Sequence, residues 1–505
     1  MKRYDRSLAG VLALALALEP ALALAFASGS TGADGAFSPT VNTEVQIPPS
    51  GLFNYTTVNI PAGVTVTYKR NTANTPLVIL ASGDVTIAGT LDVRGRTAPG
   101  VGAAGDGNQG DDSQPGAGGP GGFEGGKGGA AGAGFTFGGA GLGPGAGNPG
   151  FFALPGPNCV DGGGWASGGT GGGFSAQAQA SGRTSFACNS GGQFTYTHTQ
   201  AQGGVGYGSS VLLPLIGGSA GGGGGGGVTF DGGGGGGGGG AILIAASGTV
   251  NVTGSLLADG GAGAAASGAG IGGAGGGGAG GGIRIMATTI AGNGAISALG
   301  GAAGGQTGQT YSVFGATAGA PGRIRLEGDT ITRVAATTPL ATSDVPGTIF
   351  VAGLPTLKIT SVAGMNAPPD PTGSADITLP ASTPNPVLVT FATTGVPVGN
   401  TVKLTVTPQN GLTTSTVSPA ITGSTENGVA SVSTNLSVGP SVLQAQTTFT
   451  IVAALGQLLR YYAGNEPVEK IELTATFGGP QTARLITASG KTYEVPQALL
   501  AVLGM

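Results

Sequence analysis

Residues able to do chemistry are sparse in this chain and far apart. Among 505 residues there is one histidine, His198, there are two cysteines, Cys159 and Cys188, and only 8% of residues are charged. Three nitrogen and sulfur ligands fall short of a four-ligand structural zinc site unless carboxylates join them, so zinc is not expected. The nearest approach to a catalytic set is Asp84, Asp92, Arg94 and Arg96, with Asp259 and Arg284 at related positions further along. Carboxylates gathered with a basic residue on one face of a sheet-built scaffold can cleave polysaccharides by acid–base chemistry. Singly placed surface charges explain the same residues as well, and no catalytic residue or cofactor is assigned.

Three further motifs carry less weight. Asp106, Asp111 and Asp112 sit in a glycine-rich loop that offers oxygen ligands for calcium, but the G-G-x-G-x-D nonapeptide is missing, and a solvated acidic loop is the better reading. Gly490-Lys491-Thr492 has the ending of a phosphate-binding loop, yet Leu485 stands where the leading glycine belongs and a hairpin follows. Asn54, Asn251 and Asn435 head N-x-[ST] triplets, which matter only in a host that glycosylates them.

The start of the chain is more specific. Lys2, Arg3 and Arg6 precede an apolar run over 8–18, and an A-x-A triplet ends at Ala27. This is the pattern of a secretory signal peptide, with Ser28 the expected first residue after cleavage; Glu19-Pro20 interrupts the apolar region, and an uncleaved anchor is the alternative. No later apolar stretch approaches the ~20 residues of a spanning helix, so no transmembrane helix is expected after cleavage. In an oxidising compartment Cys159 and Cys188 are expected to form one disulfide closing a glycine-rich loop, because their spacing is far from C-x-x-C. Trp165, between them, is expected to be shielded by Phe174 and Phe186. A net charge of -4 leaves no basic field for phosphate backbones, so nucleic acid is not an expected partner.

The elements that position these residues follow from composition and repeats. Glycine (109) and proline (31) together exceed a quarter of the chain, a level typical of low complexity. Against that, 39% hydrophobic residues with 8% charged is the reverse of a disordered composition. Residues 77–91 align without a gap on 242–256: an apolar run, a Ser-Gly turn, alternating β-branched residues, a glycine and a new strand start. A third copy covers 283–298 and a fourth 324–331. Short alternating strands meeting at glycine or serine turns predict coils that stack their inward side chains, since one coil cannot bury its own apolar face. The expected fold is all-β: a right-handed parallel β-helix, or solenoid, with first coils or a cap at 45–68, long glycine-rich insertions, and an Ig-like β-sandwich behind it.

The insertions, at 95–240, 260–282 and 300–322, follow each copy at the same point and so should leave along one edge. The runs 221–227 and 232–240 are expected to form left-handed extended helices with three residues per turn, packed as closely as only glycine allows, in preference to floppy linkers. Near Pro355 threonine, valine and proline replace glycine, and strands at 387–391, 402–407, 429–432 and 448–451 predict the sandwich, without its cysteines. A short helix at 453–461 and strands at 469–477, 482–487 and 491–495 make a small β-rich tail. The expected layout is a signal peptide at 1–27, the parallel β-helix at 28–350, the sandwich at 351–452 and the tail at 453–505.

The glycine run leading into Ala241-Ile242-Leu243-Ile244, and the step Gly254-Ser255-Leu256, resemble exported bacterial glycine-rich surface proteins over roughly residues 40–335. More loosely the chain is similar to haemagglutinin-type adhesin solenoids and to the glycine-rich tips of phage fibre adhesins. The resemblance implies a surface or matrix role and transfers no functional residue. The expectation is a secreted or cell-surface, adhesin-like structural protein without catalytic activity. Its solenoid would act as a spacer, and its glycine-rich edge or sandwich would contact polysaccharide or other cell-surface components. The alternative is a polysaccharide-active lyase or hydrolase on the same β-helix. A flat threonine face for ice or polysaccharide is weaker, because Thr86 gives way to Asn251, and Thr90 to Ser255 and then Ala295.

Overall fold

The computed structural model describes residues 25–100, 113–131, 137–153, 165–181, 201–227, 231–266, 272–305, 315–350, 354–368, 376–409, 412–477, 481–497 and 499–500. Cys159, Cys188, His198, Phe186, Asp106, Asp111 and Asp112 lie outside the described residues. What is described is nearly all β, with parallel sheets in the first part of the chain and antiparallel sheets after them.

All four sequence copies supply strand to a first parallel sheet, and the first three also supply one short strand to a second. In the first sheet Leu77–Ala81, Ala241–Val252, Gly282–Ala291 and Arg323–Ile331 lie side by side, with Leu77 opposite Ile242, Ile242 opposite Ile283, and Ile283 opposite Ile324. In the second, Thr65–Lys69, Thr90–Asp92, Ser255–Leu257 and Ala295–Ser297 pair in the same order. The register between the first two copies is the gapless one, Val85 meeting Val250 beyond the Ser-Gly turns. The third copy is one residue shorter there: Ala246 pairs Ala287 but Thr249 pairs Thr289, so Thr288 alone replaces Ser247-Gly248. Leu77, Ile79, Val85, Leu91, Ile242, Ile244, Leu256, Ile283, Ile285 and Ile296 form one buried cluster between the two sheets. Each such side chain contributes about 1.5–3 kcal/mol by leaving water.

In the described parts of the glycine-rich insertions the backbone hydrogen bonds repeat every third residue. In the run 217–227 the amides of Gly218, Gly221 and Gly224 donate to the carbonyls of Gly239, Gly236 and Gly233. Ala220 and Gly223 donate to Leu142 and Gly139, while Gly222 and Gly225 donate to Thr170 and Ser167. Three neighbours served in rotation is what a helix with three residues per turn and no internal hydrogen bonds requires. None of these glycines takes a positive φ. The run 232–240 behaves likewise, facing 123–129, 273–279 and 93–96. Residues 217–227, 231–240 and 272–281 are buried throughout, the centre of a bundle whose members contact each other backbone to backbone.

Such contact leaves no space for side chains. A Cβ on Gly236 would be driven into the carbonyl of Gly261, and one on Gly222 into that of Asn148. These glycines are needed for close approach and not for unusual torsion angles.

Behind the bundle, Thr356–Val362, Val387–Thr394 and Gly428–Thr434 form one antiparallel sheet with two short flanking strands. Lys403–Pro408, Thr414–Val417 and Ser441–Thr450 belong to a second. Strict alternation buries Val387, Val389 and Phe391 and exposes Leu388. The strands expected in the tail, Val468–Phe477, Thr482–Thr487 and Thr492–Pro496, are present and extend the second sheet to six strands, since Val468–Phe477 pairs with Ser441–Thr450. The expected helix is also present, over Ala453–Leu459, followed by a 3-10 turn at Arg460–Tyr462.

Two substitutions test this packing. Gly236→Ala should destabilise the protein by about 3 kcal/mol or prevent folding, because only backbone surrounds the added methyl, whereas Gly305→Ala, with nothing within 4 Å, should be neutral in thermal denaturation. Tyr68 is the converse case: its hydroxyl is buried without a hydrogen-bond partner, so Tyr68→Phe should raise stability by about 1 kcal/mol.

Candidate functional site

The sequence-predicted polar residues fall into three separate places. Asp84 ends in a turn, where its Oδ1 accepts the Thr249 amide at 2.7 Å and so ties one copy to the next. Asp92, Arg94 and Asp259 come together where the second sheet gives way to the glycine bundle. Arg94 donates twice to Asp92, Nε at 3.0 Å and Nη2 at 2.8 Å. The amide of Gly95 reaches the carbonyl of Asp259 at 2.9 Å. The Asp259 carboxylate accepts the Leu299 amide at 2.7 Å and the Ser297 hydroxyl, locking the following copy. Arg96 is exposed.

This trio is electrostatically unlike an acid–base pair. Burial opposes ionisation of Asp92, but the side-chain and backbone hydrogen bonds from Arg94 outweigh it and hold the carboxyl below its usual range. A general acid needs the opposite shift, toward neutral pH. Among the described residues no three His, Cys, Asp or Glu side chains gather as a metal site.

Arg284 is not with them. It occupies the outward column of the first sheet where the preceding copies carry Val78 and Leu243, and it is 3% exposed. Its partner is Glu327, which the sequence reading passed over: Nε–Oε1 is 3.1 Å and Nη2–Oε2 is 3.0 Å. Glu327 also accepts Arg325 Nε at 2.9 Å and the Gly347 amide at 2.9 Å, and Arg325 reaches Asp344 at 3.0 Å. Arg284 Nη2 donates to the Thr348 carbonyl at 2.8 Å. The network thus clamps the segment that leads into the antiparallel sheets. A signal for it existed, because the repeat alignment puts Glu327 into a column that Leu80, Ala245 and Met286 otherwise make apolar.

The reading also passed over the outer surface of the glycine bundle. Along 121–130 the sequence runs G-G-F-E-G-G-K-G-G-A, and the residues at every third position, Glu124, Lys127 and Ala130, are the exposed ones. With ~3.1 Å rise per residue these side chains stand about 9 Å apart on a rigid row. Phe174 is fully buried, with Tyr207 at 4.9 Å and the Arg323 guanidinium over its ring; the expected shielding of the Trp165 side chain lies outside the described residues. Trp165 lies in a two-residue strand that pairs with Phe152–Ala153. In the threonine column Thr65, Thr90, Ser255 and Ala295 are successive partners, so the row of hydroxyls ends within the sheet. The candidate phosphate loop is a hairpin, and Lys491 is ion-paired with Glu466.

Glu327→Gln should cost about 3 kcal/mol by leaving the Arg284 guanidinium buried without its counter-charge. Burial raises the Glu327 carboxyl and the bonds from Arg284 and Gly347 more than offset that, so its net shift is downward. A depressed folded value contributes stability that is present above the ordinary carboxyl range and lost as pH falls through the folded value. The acid limb of a stability-against-pH curve should therefore flatten in Glu327→Gln. No protein-family model matches the chain, and neither the curated proteins nor the solved structures contain a match to it.

Proposed function

We propose that this is an exported, non-catalytic structural protein of the cell surface or matrix, adhesin-like in design. In this reading the parallel sheets are successive coils of a right-handed β-solenoid, the antiparallel sheets are an Ig-like sandwich, and the glycine bundle is the rigid lobe that makes contact. The observation that carries it is the bundle itself: long insertions bonded to one another on every side, which a linker would not need. The fates of the polar candidates support the same reading, since Asp84, Asp92, Asp259 and Arg284 each engage a structural partner. The expected partners are polysaccharide or other cell-surface components, met by sparse side chains on a flat scaffold. The closeness of Asp92, Arg94 and Asp259 is what favours a polysaccharide-active enzyme as the second reading.

Fractionation of the producing cell, with surface labelling of intact cells, should find the processed chain outside the cytoplasm and accessible to label. Recovery from the cytoplasm would overturn the proposal. Depolymerisation of a polysaccharide panel that is lost in Asp92→Asn would instead establish the enzyme.

A further inference from the structure

We infer that the export leader is removed between Ala25 and Phe26, two residues before the bond that the A-F-A triplet marks, and that the new amino terminus is an ion-paired strap across the first parallel sheet. The inference rests on the export reading above. Three A-x-A triplets overlap here, ending at Ala23, Ala25 and Ala27, so the sequence allows three cuts. The folded chain discriminates among them.

Residues 26–30 cross the first sheet from its last copy to its first. The Phe26 amide donates to Asp329 Oδ2 at 2.9 Å, on Arg323–Ile331. The Phe26 carbonyl accepts the Thr288 hydroxyl at 3.4 Å, on Gly282–Ala291. Ser28 N donates to Ser247 Oγ at 3.0 Å, and Ser28 Oγ donates to the Ala81 carbonyl at 2.6 Å. Ser30 Oγ reaches the Tyr55 carbonyl at 2.7 Å. One short segment thereby touches five consecutive strands, and the Phe26 ring packs on the large apolar cluster behind the sheet.

Hydrolysis consumes one water, leaves a carboxylate on Ala25 in the released leader, and leaves an ammonium on Phe26. That ammonium stands at a carboxylate, in a place where Ala25 is exposed and the chain can end in water. A cut after Ala27 would put the charge on Ser28, whose nitrogen faces the Ser247 hydroxyl and no carboxylate. It would also discard Phe26 and its contacts. A cut after Ala23 would leave Phe26 within the chain, with an amide and no ammonium at the Asp329 carboxylate.

Intact mass and amino-terminal sequencing of the mature chain recovered from outside the cytoplasm should read Phe26-Ala27-Ser28. A start at Ser28 or Leu24, or a chain that retains Met1, overturns this inference and leaves the export reading standing; recovery from the cytoplasm alone overturns both. The ion pair has its own readout. Asp329→Asn should lower the melting temperature of the chain that begins at Phe26 and leave unchanged that of a chain made to begin at Ser28. An equal drop in both would show that Asp329 does not hold the terminus.

Discussion

Everything in the first part of this molecule depends on backbone amides that meet other backbones with no side chain between them. In an extended three-residue helix no hydrogen bond closes within the chain, so each N–H must find a carbonyl on a neighbouring helix, in one of three directions. A single glycine run in water has nothing to gain by this arrangement. Only a bundle satisfies the central runs, and it can do so only when neighbours are held in register. The strands supply that register. The run 232–240 enters Ala241–Val252 directly, 273–281 enters Gly282–Ala291, and the amides of Gly282 and Arg323 reach back to Gly240 and Gly281 across the junctions. Sheet and bundle are thus one continuous lattice, and a slip in either would break bonds in both.

The same constraint explains the scarcity and placement of charge. Where helices touch through their backbones a charged side chain has little room; among the described residues Asp231, which accepts the Ala131 amide, is buried at the start of a central run, and other charged groups lie on outer rows and at junctions. At the junctions they work as clasps between copies: Asp84 on Thr249, Asp259 on Leu299, and Arg333 on the carbonyls of Gly292 and Gly294. These bonds do locally what a disulfide does in small-cored proteins, holding loops that have little apolar surface of their own.

The antiparallel sheets are joined to this lattice by an apolar wedge. Tyr207, Leu212, Leu215 and Ile216 share one buried cluster with Val78 and Leu243 on the outward face of the first sheet and with Leu459 and Tyr461 beyond. Polar contacts orient it, the Tyr462 hydroxyl donating to Leu215 at 3.1 Å and Asn465 Nδ2 to Pro144 at 2.9 Å. This cover is why Leu77–Ala81 is buried on both faces and reads as a continuous apolar run. The clamp around Arg284 and Glu327 lies on the same outward face, where the chain leaves one kind of sheet for the other.

Much of this was legible in the sequence, and the reason is periodicity. Parallel strands stack like on like, so the gapless alignment of 77–91 with 242–256 is also the observed register, and alternation in 387–391 marks its inward face. The glycine runs suggested helices with three residues per turn because charged residues are sparse in the insertions, aromatics there offer packing nuclei, and glycine alone allows such close approach. What the sequence by itself determined was therefore local and repetitive: strands, their register, and the places where only glycine fits. The tertiary structure alone decided which helices are neighbours, that Glu327 answers Arg284, that the tail strands extend the second antiparallel sheet, and that residues 26–30 lie across five strands. Those pairings join residues tens to hundreds of positions apart. A hydrogen-bond or ion-pair partner at that distance is chosen by the three-dimensional lattice and leaves no spacing in the chain to be read.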